Sequence, residues 1–274
     1  MSHTTSLAAF LLFASPALAH PPEPALRAGA YAQDITPEKF PISVNGGFAD
    51  RQATAAHDPL HARCLVLDDG TTKLALVVVD SCMMPRELLD AAKTVAEKKT
   101  GIPATNVLIS ATHTHTAPTV AGVFQSDPDE AYVKFLTEKI AAGIEKAHAN
   151  LQPAKAAWAV GTEPNQVFNR RWKMKAGVVN ADPFGGTTDR VRMNPPRGSP
   201  DLAEPAGPTD PGVTVLSLRT VDDKPLAVYA SYSLHYVGDR PPLSADYFGV
   251  FANVIGRKLK AGPGFVGMLS NGTS

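Results

Sequence analysis

Apolar and polar positions alternate with two different periods along this chain, and the changes of period mark its elements. Residues 62–67 and 74–80 are short, nearly continuous apolar runs separated by Asp68-Asp69-Gly70-Thr71-Thr72-Lys73, which predicts a β-hairpin. After Pro85 the period lengthens: Leu88, Leu89, Ala92, Val95 and Ala96 lie at helical spacing, predicting a helix from 85 to 99. A brief apolar strand follows at 107–110. Asp127-Pro128-Asp129-Glu130 then reads as a helix start capped by Asp127, with Tyr132, Val133, Leu136, Ile140 and Ile144 as its buried stripe. Residues 154–160 predict another strand, and 213–218 with 226–234 predict a second hairpin around Val221-Asp222-Asp223-Lys224. Asp246 is placed to cap a helix carrying Phe248, Phe251, Val254, Ile255 and Leu259, and a last strand starts near Gly264. Residues 181–212 are rich in Pro and Gly and show no period, so they read as a long loop. Strands alternating with helices predict an α/β layered domain, and the two hairpins make its sheet mixed. No internal repeat is visible.

Composition narrows this picture. The apolar run 7–14, followed by Ser15-Pro16-Ala17-Leu18-Ala19, reads as a secretory leader cleaved after Ala19, although no Lys or Arg precedes it. It is too short for a membrane-spanning helix, and no later stretch approaches one, so an exported chain without a transmembrane segment is expected. Lys plus Arg equals Asp plus Glu at 26 each, which gives no reason to expect nucleic acid or an anionic membrane as partner. Residues 20–274 are long enough to bury a substantial core. Cys64 and Cys82 are the two cysteines. The hairpin register sets Cys64 opposite Val77, leaving Cys82 five residues further along, ~16 Å away at strand rise. A disulfide requires Cα atoms closer than ~7 Å. Two free, buried thiols are expected.

The candidate chemistry is concentrated in Thr112-His113-Thr114-His115-Thr116-Ala117-Pro118, directly after the 107–110 strand. Residues two apart on a strand face the same side of a sheet, so His113 and His115 are expected to face one space at the strand's carboxyl end. Ligands and metals commonly sit at that end of an α/β sheet. Imidazole is both a common metal ligand and a general acid or base. Packing or surface histidines are the plainer reading of the same pair. Asp80, at a strand end, either orients a ligand or only begins a turn. Asp246 either caps its helix or supports a ligand from behind.

Five segments in order resemble the N-terminal part of the neutral/alkaline non-lysosomal ceramidase family. They are Arg27-Ala28-Gly29-Ala30 with Asp34-Ile35-Thr36-Pro37; His61 to Leu67 with Val78-Val79-Asp80; Thr112 to His115 with Pro118; Asn169-Arg170; and Ser233-Leu234-His235 with Ser244-Ala245-Asp246 and Gly249. The resemblance implies zinc-dependent hydrolysis of a linear amide, the N-acyl bond of a ceramide-like lipid. It implies His113 and His235 as zinc ligands, His115 as a hydrogen-bond donor to the oxyanion, and Arg170 as its helper, with Arg171 beside it as a competing candidate. The family's remaining ligands, a Glu and a Tyr, and its catalytic Ser are expected past residue 274, so the chain reads as the first half of a longer member. Two other readings stand beside this one: a different His-x-His metallohydrolase, and a non-catalytic exported binding module of the same fold.

Overall fold

The computed structural model describes residues 26–238 and 242–273; the expected leader, 1–19, lies outside the described residues. The strands are β1 (Arg27–Asp34), β2 (Ile42–Ser43), β3 (Gln52–Ala53), β4 (His61–Asp68), β5 (Lys73–Val79), β6 (Val107–Ala111), β7 (Gln152–Thr162), β8 (Arg171–Met174), β9 (Val191–Met193), β10 (Leu202–Pro205), β11 (Gly212–Thr220), β12 (Pro225–Tyr232) and β13 (Val266–Asn271). The helices are α1 (Arg86–Thr100), α2 (Glu130–Ala149) and α3 (Asp246–Lys258). Eight strands form one mixed sheet in the order β13-β12-β11-β7-β1-β4-β5-β6, confirming the α/β layered class. Both hairpins form, with Cys64 opposite Val77 as the register predicts. Both cysteines are free and buried. The two parallel pairs, β5 with β6 and β12 with β13, are each joined through a helix, because parallel neighbours need a crossover.

Two boundaries differ from the sequence reading. Helix α2 begins at Glu130, not near Asp127: the Asp129 carboxylate accepts the Tyr132 N–H at 2.8 Å and so acts as the cap. The 181–212 stretch is not all loop. It contributes β9 and β10, which flank β8 in a small sheet of their own. These strands are only three and four residues long and largely exposed, so they carry no apolar alternation to read.

The large sheet is folded over on itself. Strand β7 pairs with β1 only through Gln152 and Pro153, and from Ala154 to Thr162 it pairs with β11 instead. The two halves therefore separate at β7 and stack face to face. Ala30, Leu65, Val78, Leu218, Ala227 and Met268 fill the space between them. On the outer side of the first half, Val66, Val77, Leu88, Leu136, Ile140 and Ile144 pack under α1 and α2. On the outer side of the second half, Phe248 of α3 packs with Ala230, Tyr232 and Leu269. The chain thus forms four layers, helix–sheet–sheet–helix. Strand β5 is covered on both faces, which is why it reads as a continuous apolar run.

Candidate metal centre

The site lies where the end of β6 meets the end of β12. Beyond Ala111 the chain keeps two backbone bonds to the neighbouring segment, Thr112 N–H to Val79 O and His113 N–H to Ser81 O, each 2.9 Å. His113 then adopts φ 64°, a left-handed conformation that turns the chain out of the sheet. His113 and His115 do face one space, but through this turn and not through strand alternation. Their Nε2 atoms are 3.2 Å apart and their rings stand at 87°. The interleaved Thr112, Thr114 and Thr116 are all buried.

His235 enters from the other half of the folded sheet, just past β12. Its ring centroid is 4.9 Å from that of His113 and 5.9 Å from that of His115. Tyr236 stacks flat on His115, with centroids 3.5 Å apart. Gly46, at φ 110°, also lies against His115; a Cβ there would sit 2.5 Å from the His115 ring. Only glycine fits that backbone conformation and that gap.

Protonation follows from these surroundings. His113 Nδ1 is 2.8 Å from the Cys82 carbonyl oxygen, which can only accept. The proton therefore resides on Nδ1, and the Nε2 lone pair faces the centre. His115 is lowered to about 4, by burial first and then by His113 and His235. His235 is lowered to about 4, by burial first, then by the Arg170 guanidinium and by His113. Nδ1 of His115 and Nδ1 of His235 are buried without a hydrogen-bond partner among the described residues. Crowded imidazoles that converge on one space are a donor set suited to a cation. The 3.2 Å between the two Nε2 atoms fits a hydrogen bond. It also fits two nitrogens on one tetrahedral zinc, which are ~3.3 Å apart for ~2.05 Å bonds.

Cys82 was not among the sequence candidates. Its donor atom, with those of His113 and His115, forms a group whose members all lie within 4.8 Å of one another. Its thiol is pushed up to about 11 by burial, and Sγ sits 3.8 Å from Nδ1 of His113, the nitrogen already committed to the Cys82 carbonyl. The signal that could have found it is topological: Cys82 follows β5 as His113 follows β6, at the same ends of paired parallel strands.

Arg170 immediately precedes β8. Both Arg170 and Arg171 line a cavity of about 980 Å³ together with Phe168, Leu234, Asp210 and His235. Arg170 is the arginine whose charge reaches His235, whereas Arg171 belongs to β8 and pairs with Met193. Asp80 does not face the histidines: its carboxylate accepts from Arg63 Nη1 at 2.7 and 2.8 Å and from the His61 N–H at 2.8 Å, as a buried ion pair. Asp246 does not cap α3 as predicted. It is the first residue of the helix, with φ 55°, and its carboxylate reaches back to the Val237 and Gly238 N–H groups at 3.0 and 2.8 Å.

No protein-family model matches the chain. A curated relative, neutral ceramidase B of Dictyostelium discoideum, is 26% identical over 258 residues, covering 87% of this chain and 32% of that protein. The crystal structure of neutral ceramidase from Pseudomonas aeruginosa superposes with a TM-score of 0.64 at 21% identity, over 90% of this chain and 38% of that one. This chain resembles neutral ceramidase in sequence and in fold. A ceramidase structure described as complexed with C2 gives a TM-score of 0.63 at 21% identity, over 90% of this chain and 37% of its own. The chain therefore spans about a third of the length of the neutral ceramidase it matches in sequence.

Proposed function

We propose that residues 20–274 form the histidine-bearing part of a zinc-dependent amidase, exported through the 1–19 leader, that hydrolyses the N-acyl bond of a ceramide-like lipid. The observation that carries this reading is the convergence of three imidazoles from two distant segments, one of which, His235, also lines the 980 Å³ cavity. His113 and His235 would hold the metal through ring nitrogens. Bound zinc would polarise the amide carbonyl and lower the pKa of a water molecule. His115, packed against Gly46 and Tyr236, donates a hydrogen bond to the oxyanion that develops on the carbonyl. Arg170 stabilises the same charge from the cavity wall. Val167, Phe168 and Leu234 give that cavity apolar walls suited to an acyl or alkyl chain.

The 3.2 Å between His113 Nε2 and His115 Nε2 favours a second reading, in which His115 is itself a ligand. Zinc content of the full chain and of His113→Ala, His235→Ala and His115→Ala, measured by metal analysis after equilibration, separates the two. The proposed roles require loss of zinc in the first two variants. In His115→Ala they require retained zinc and, in a longer protein that also carries the ligands and serine expected past residue 274, turnover of a fluorescent N-acyl sphingosine lowered by about 10²–10³-fold. Loss of zinc in His115→Ala moves that residue into the ligand set. Equal zinc in all four proteins would sink the metal assignment. Binding of the amide without turnover by that longer protein would favour the binding-module reading.

A further inference from the structure

Strand pairing does not connect the two histidine segments, because β6 and β12 lie in opposite halves of the folded sheet. Their rings nevertheless sit about 5 Å apart, in contact range. One turn, residues 244–247, bonds to both segments. On the β6 side, the Thr114 and Thr116 hydroxyls lie 3.1 and 2.9 Å from the Ser244 carbonyl oxygen. The Ser244 N–H donates to the Thr116 carbonyl at 2.9 Å. On the β12 side, the Asp246 carboxylate accepts from Val237 N–H and Gly238 N–H, and the Tyr247 hydroxyl donates to the Leu234 carbonyl at 2.7 Å. His235 and Tyr236 are thereby bracketed before and after. The turn itself is fixed from a third direction: Asp58 accepts from the Ser244 hydroxyl at 2.6 Å and from the Ala245 N–H at 2.8 Å. Ser244 and Asp246 are buried, and Asp246 keeps its left-handed φ within this set of bonds.

We propose that the 244–247 turn is the bracket that sets His235 in register with His113 and His115, and that Asp246 is its principal positioning residue. The proposal rests on reading the three histidines as one metal-binding group. Its physical basis is that an ionised carboxylate makes stronger hydrogen bonds than a neutral acceptor. Removing it leaves two N–H groups of the His235 loop without their acceptor. A histidine loop freed in this way samples many ring positions, and ligand geometry degrades even though the fold survives.

The test uses the full chain and the variants Asp246→Ala, Asp246→Asn, Tyr247→Phe and Thr114→Val. Amide hydrogen exchange at Val237 and Gly238 and the ¹⁵N signals of the His235 ring are recorded without metal, and cobalt(II) binding is followed by its visible absorption. Asp246→Ala should lose protection at both amides, disperse or broaden the His235 signals, and bind cobalt about 10–100-fold more weakly. Asp246→Asn retains an acceptor oxygen and should recover most of that loss. Thr114→Val should weaken cobalt binding from the opposite side of the turn. A folded Asp246→Ala with unchanged amide protection, His235 signals and cobalt affinity would overturn the bracket. If Asp246→Ala does not fold, Tyr247→Phe decides, since it removes one hydrogen bond and keeps the ring; unaltered His235 signals there would overturn the proposal too. Unchanged cobalt binding in His113→Ala and His235→Ala would refute the metal reading instead, and the metal-free amide and ring signals would still decide the bracket.

Discussion

His115 and His235 illustrate how a site prepares its ligands before any ion arrives. Burial and neighbouring positive or imidazole groups bring each from the ordinary 6.5 to about 4, so both hold a free lone pair at neutral pH. Between those two values the unfolded chain takes up protons that the folded one refuses, so folded stability falls as pH drops through that window and this contribution is gone below about 4. The melting temperature of the metal-free protein should therefore decline on acidification from 6.5 toward 4, and His115→Gln with His235→Gln should flatten the decline. His61, also lowered by burial, retains its share in those variants. Asp50, Asp69 and Asp210 are held below 3.8 by hydrogen bonds and act only at lower pH. A melting temperature indifferent to pH in this range, measured by calorimetry, would contradict the neutral-imidazole picture.

At the scale of elements, the end of β5 is the support on which the His113 turn rests. Asp80 closes that strand, and its carboxylate is fully paired with Arg63 of β4, both side chains being almost inaccessible to water. Ser81 and Cys82, the next two residues, supply the carbonyls that receive the His113 N–H and Nδ1–H. Replacing Arg63 by Met strands a buried carboxylate, which should cost about 3–5 kcal/mol in urea unfolding. Adding Asp80→Asn should recover part of it, because an amide oxygen can still accept the His61 N–H without carrying charge. An Arg63→Met variant as stable as wild type would show that the pair is not a structural tie. Much of this level was legible in the sequence. The β4–β5 register followed from the apolar runs and their turn, and α1 from Pro85 and its stripe. The start of α2 and the strands β9 and β10 were not, since a choice between two nearby capping acids and the pairing of short exposed strands depend on contacts that local patterns do not encode.

At the scale of the whole molecule, the fold-over at β7 assembles the site. Met268, on β13, is fully buried between the two halves of the sheet, whereas Leu136, on α2, is buried on the outer side. Met268→Ala and Leu136→Ala should each cost about 2–5 kcal/mol in urea unfolding. Only Met268→Ala should also weaken zinc binding, because it loosens the stacking of one half-sheet on the other. Equal zinc affinity in the two folded variants would detach the site from the fold-over.

The sequence by itself determined the two hairpins and the three helices, the α/β class, the free cysteines and the His113–His115 pair, because hydrophobic period, turn residues and side-chain chemistry are properties of short segments; His235 and Arg170 came from the resemblance of ordered segments to a known family. Tertiary structure alone decided that His235 meets His113, that the histidine pair converges through a left-handed turn, that Cys82 lies beside it, and that Asp246 holds the His235 loop in place of a helix cap. Those facts depend on how a sheet broken at β7 folds back on itself. No local pattern specifies which residues, more than a hundred positions apart, then come within reach of one another.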